Sequence, residues 1–60
     1  MNQSNITNAL NTAKSVIAKM IEQGIYEAKY VFALSNMISE NYGLTKDQSI
    51  QVIESAMETI

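Results

Sequence analysis

Glu54 and Glu58 stand four residues apart, Asp47 lies ahead of them, and Tyr26, Tyr30 and Tyr42 supply the only phenols. The chain has 60 residues, with no histidine and no cysteine, so six carboxylates and four lysines are its strongest acid–base groups. On a helix, Glu54 and Glu58 are an i,i+4 pair of like charges, which repel and mark a solvated face rather than an acid/base couple. Asp47 is explained by a place in the first turn of a helix, where the positive end of the backbone dipole favours an anion. The imidazole base, the thiolate nucleophile and the usual ligands of transition metals and structural zinc are all missing. Neither a glycine-rich phosphate loop nor an EF-hand spacing is present. The sequence therefore predicts a protein that is not an enzyme and binds no cofactor or metal.

Partners are bounded by charge and length. The formal net charge is −2, and Lys14, Lys19, Lys29 and Lys46 are scattered without any arginine. A nucleic-acid binder needs a positive stripe to displace counterions from phosphates, so that class is disfavoured. Six carboxylates spread over three segments are likewise too few for a DNA mimic. No apolar run approaches the roughly 18 residues of a membrane span. The polar start MNQSNITNAL lacks the pattern of a signal peptide, and the expectation is a cytoplasmic protein. Richness in Asn, Ser, Ile and Lys, without Pro, Trp or Arg, points to an AT-rich genome, bacterial or phage. A chain this short buries only about 60% of the surface it exposes when unfolded. Disulfides and zinc being excluded, self-association is the remaining common means of stabilising it.

The elements that would position these residues are set off by Gly24 and Gly43, each followed by an aliphatic residue, Ile25 and Leu44. That is the pattern of a helix stopped by a left-handed glycine, with the next apolar residue folding back on the last turn. Ile25 is expected to cover Met20, and Leu44 to cover Ile38 or Ser39. In the first segment Ile6, Leu10, Ala13, Ile17 and Met20 form a helical stripe flanked by Ala9, Val16 and Ile21, with Ser4 or Asn5 as candidate cap. Before the third segment Thr45 and Gln48 form a capping box, followed by a core stripe of Ile50, Ile53, Met57 and Ile60, widened by Val52 and Ala56. The middle segment has no good N-cap. Its run Tyr30 to Leu34 has no second strand to pair with, so it is also read as helix. The expected fold is all-α, one domain over 1–60: a compact three-helix bundle at about 4–23, 26–42 and 45–59, with successive helices antiparallel.

On a wheel of about 100° per residue, Tyr30, Leu34, Ile38 and Val31 share the expected core face of the middle helix, flanked by Met37, Tyr26 and Ala33. Phe32 falls on the opposite side, at about 200° from Tyr30. Ala28, Phe32, Ser35 and Ser39 then make a narrow seam of small residues around one aromatic. Small side chains admit another helix closely while the aromatic anchors it, so these four residues are the predicted interface. Tyr26 and Tyr30 are expected at the core edge with their hydroxyls in water, Tyr42 over the turn at Gly43, and the methionines as core filler.

Three short helices invite comparison with ubiquitin-associated domains and helix-turn-helix proteins. The loop motif of the first and the basic recognition helix of the second are both missing. Gln48, Gln51 and Ser55 lie on the outer face of the third helix, but the charges beside them are Asp47, Glu54 and Glu58. The leading expectation is a homodimer associating through its second helix, a small regulator or inhibitor that binds a protein partner. A dimeric helix-turn-helix regulator of DNA is the first alternative, and a small subunit or assembly factor of a complex the second.

Overall fold

A computed structural model describes the backbone of residues 2–59 and the side chains of residues 4–59. Three helices make up the fold: α1 (Asn2–Gln23), α2 (Ala28–Tyr42) and α3 (Lys46–Thr59). They pack on one another in an all-α bundle measuring 35 × 19 × 16 Å. The long dimension is set by α1, whose 22 residues extend about 33 Å at 1.5 Å per residue. α1 and α3 share the widest interface, and α1 and α2 the narrowest.

Both glycines end helices as the sequence predicts. Gly24 and Gly43 have φ of 74° and 65°, the left-handed region that a side chain disfavours. At the first stop the Ile25 amide donates to the Met20 carbonyl (2.9 Å) and the Gly24 amide to Ile21 (3.2 Å), the two bonds of a Schellman motif. At the second, Gly43 and Leu44 both donate to the Ser39 carbonyl, and the Ser39 hydroxyl donates to the Leu44 carbonyl at 2.8 Å. Leu44 is thereby folded into the core, whereas Ile25 stays more exposed. The capping box also forms reciprocally. The Gln48 amide donates to Thr45 Oγ1 (3.1 Å), and the Thr45 amide donates to Gln48 Oε1 (3.0 Å).

The first two helix starts differ from expectation. α1 already runs at Asn2, so Ser4 and Asn5 lie inside it and do not cap it. Asn5 turns to another helix end, its Nδ2 donating to the Tyr42 carbonyl at 3.2 Å. The Tyr42 hydroxyl meets Thr12 Oγ1 at 2.6 Å, so α1 holds the last residue of α2 at two points. This pins the end of α2 beside the start of α1, and the two helices run antiparallel. α2 begins two residues later than expected, after Glu27, which is extended and makes no side-chain cap, leaving Tyr26 outside the helix.

Each helix is also turned about its axis relative to the predicted core faces. On α2 the buried residues are Leu34, Ser35 and Ile38, while Tyr30 and Ala33 are exposed. On α3 they are Ser49, Val52, Ile53 and Ala56, with Ile50 40% exposed and Met57 at the edge. On α1 Ala9, Ala13, Ile17 and Met20 are buried but Ile21 is 48% exposed. Ile60, expected to close the α3 stripe, and Met1 lie outside the described residues. On α2 and α3 the cause is that small polar residues occupy interior positions: the Ser49 hydroxyl, fully buried, donates to the Ser35 carbonyl across the α2/α3 crossing. Counting only apolar residues displaces the centre of both faces.

Two substitutions gauge this fold. Ile38 is fully buried, and Ile38→Ala should cost about 2–5 kcal/mol. That is much of the roughly 3–9 kcal/mol available to a domain this small, so urea titration should find it largely unfolded. Thr45→Ala removes one arm of the capping box and should cost about 1 kcal/mol, a fall in Tm of about 4–8 °C on a thermal melt.

Candidate interaction surface

The side of α2 turned towards α3 determines what Phe32 meets. Val31 and Ser35 face α3, and about 60–100° further round the helix comes Phe32. Phe32 is therefore a ridge on the flank of the domain core, not a residue on the far side of α2. It is 69% exposed, the most exposed of the large apolar side chains among the described residues. Beside it runs a groove of about 270 Å³ between α2 and α3, lined by Val31, Phe32, Ser35, Ile50, Ile53, Glu54 and Met57. A second depression, about 340 Å³, lies on its N-terminal side against Tyr26, Glu27, Ala28, Val31 and Met57. Phe32 thus stands between two apolar hollows.

The four residues of the predicted seam do not stay together. Phe32 and Ala28 are exposed on one surface. Ser35 is 6% exposed and forms the floor where α2 crosses α3, its carbonyl held by Ser49. Ser39 is half-buried in the α2–α3 turn and bonded to Leu44. The seam is replaced by a mixed face to which α3 also contributes, through Ile50, Ile53 and Met57. The sequence places all three in the core stripe of α3; Ile53 is buried there and Met57 packs against the core, whereas Ile50 is 40% exposed.

Charge is distributed unequally along the two rims. Asp47, Glu54 and Glu58 are exposed on the side of α3 away from the core, and Glu54 borders the groove. On α2 the corresponding outer residues are Lys29, Asn36 and Glu40, the lysine about one turn before Phe32 and about 60° further from α3. The Lys29 ammonium rests 5.2 Å from the centre of the Tyr30 ring, an exposed cation–π contact. The amino end of α2 lies beside it, where Glu27 stands at the N-cap position, exposed and without a side-chain cap hydrogen bond.

Elsewhere the surface is less apolar. Gln48, Gln51 and Ser55, the outer polar residues of α3, line a shallow depression of about 210 Å³ with Ile6, Leu10 and Val52. Among the described residues, no three carboxylates gather as a metal site, and no helix is long and apolar enough to cross a membrane. No protein-family model, curated protein or solved structure matches this chain.

The surface and the core should respond differently to truncation. Phe32→Ala removes an exposed ring and should change the stability of the dilute monomer by no more than about 0.5 kcal/mol. Ile53→Ala, one helix away and buried, should cost about 2–5 kcal/mol. Urea denaturation of both variants at low micromolar concentration checks the contrast, and equal losses would mean that Phe32 belongs to the core.

Proposed function

We propose that this protein is a small non-catalytic helical dimer that acts by protein–protein contact, and that the α2/α3 face centred on Phe32 is where two copies of the chain meet. The observation that carries the reading is the 69% exposure of Phe32 beside a groove walled by Val31, Ile50, Ile53 and Met57. A single exposed apolar residue needs no explanation, but an aromatic ridge contiguous with an apolar groove makes a central anchor and its pocket. Chain length adds a reason. Burying a phenylalanine fully contributes about 1.5–3 kcal/mol, which is substantial for a fold with so small an interior. The chemistry of the chain favours contact over catalysis, since it has no histidine or cysteine and its carboxylates are exposed. A dimer of this kind fits the role of a regulator or inhibitor that occupies a surface of a larger protein.

Sedimentation equilibrium tests the reading directly. The wild-type chain should reach twice its 6.7 kDa mass, and Phe32→Glu should remain a monomer with an unchanged helical circular dichroism spectrum. The wild-type Tm should also rise with protein concentration over a roughly hundredfold range, because association stabilises only the folded chain. A monomer at every concentration, or a dimer indifferent to Phe32→Glu, would sink the proposal.

A further inference from the structure

We infer that α2 is held in two parts: residues 28–33, with the 24–27 turn before them, unfold locally from α3 while residues 34–42 stay docked. The face around Phe32 then exists only while this segment is closed. The inference concerns the single chain and stands apart from what that face binds.

Burial changes abruptly along the helix. Across residues 21–33 every residue except the half-buried Val31 is exposed, whereas Leu34, Ser35 and Ile38 just beyond are buried. Hydrogen bonds between elements follow the same division. The Ser35 carbonyl accepts from Ser49, the Tyr42 carbonyl accepts from Asn5, and the Tyr42 hydroxyl meets Thr12. Among the described residues no side-chain hydrogen bond reaches residues 24–33. The backbone bonds there are local. Tyr30 and Val31 both donate to the Glu27 carbonyl, and Gly24 and Ile25 donate to the last turn of α1. The α1 stop is therefore complete whether or not the first half of α2 is formed.

Ordering each residue of a helix costs backbone entropy, which burial must offset. For this segment the offset is the packing of Val31 and one side of Phe32 along α3. The helix start adds little, because Glu27 is extended and makes no side-chain cap, leaving the first amides to water. The Lys29 contact with the Tyr30 ring lies within the segment and ties it to nothing else. A stretch with so few buried contacts opens at a lower free energy than the whole domain. Opening has a consequence for the surface. Both hollows beside Phe32 are shared between this segment and α3, with Met57 lining each, so both dissolve when it leaves. Anything that needs ridge and hollows together meets only the closed fraction, and its apparent affinity falls by that fraction.

Hydrogen exchange resolved by residue, at low micromolar protein, tests the division. The helical amides of Val31, Phe32 and Ala33 should be at least about tenfold less protected than those of Ile17 and Ile38. In urea below the unfolding transition, protection of Ile17 and Ile38 should fall steadily, because they exchange through global unfolding, while the other three stay nearly flat. Thr45→Ala, in a different turn, should lower protection at Ile17 and Ile38 about fivefold and leave Val31, Phe32 and Ala33 unchanged. Equal protection in the two groups, or a parallel fall of both in urea or in Thr45→Ala, overturns the inference, since α2 would then open only with the whole domain.

Discussion

Close packing of α1 and α3 on small side chains is the constraint from which the rest of the structure follows. The residues at zero exposure on these two helices are Ala9, Ala13, Ser49 and Ala56, and the two helices share the widest interface in the bundle. Small residues let helix axes approach, but they leave little interior volume between them. Of the larger side chains, Ile17 and Ile38 are the ones enclosed almost completely. Protein interiors are filled to crystalline density, so large residues in excess of that volume are carried to the margins. Ile21, Ile25, Tyr26, Tyr30, Phe32 and Ile50 are all substantially exposed. The apolar character of the α2/α3 face is thus the counterpart of a core built on alanine and serine.

Register along that face is set by the two ends of the α2–α3 connection. At the end of α2, Ser39 accepts two amides of the turn with its carbonyl and donates its hydroxyl to Leu44. At the start of α3 the reciprocal bonds of Thr45 and Gln48 fix where the helix begins. Between these points the chain has no slack, and Ser49 arrives beneath Ser35. Every buried side-chain polar atom among the described residues has a hydrogen-bond partner, so this polar crossing carries no desolvation penalty left uncompensated. A shift of one residue in α3 would move Ser49 off the Ser35 carbonyl and Met57 away from Phe32 together. The crossing and the exposed groove are two sides of one register.

Three helices, their approximate bounds, both glycine stops and the capping box were legible in the letters themselves. These features depend on contacts within one turn of chain: a left-handed glycine, a threonine and glutamine three residues apart, an apolar residue every three or four. Phe32 could also be singled out, because the middle helix left it off any contiguous core stripe. What the letters could not supply was the rotation of each helix about its axis. Ser35 and Ser39 were placed in an outward seam of small residues and Ser49 in no core stripe, yet the tertiary structure turns Ser35 and Ser49 inward and ties Ser39 to Leu44. Ile50 was read as core, yet it is 40% exposed. Helical periodicity is a local property, whereas the face a helix buries depends on which distant residues are small enough to let it approach. That choice was made by Ala9, Ala13, Ser49 and Ala56 together, across helices, and it exists only once the chain is packed.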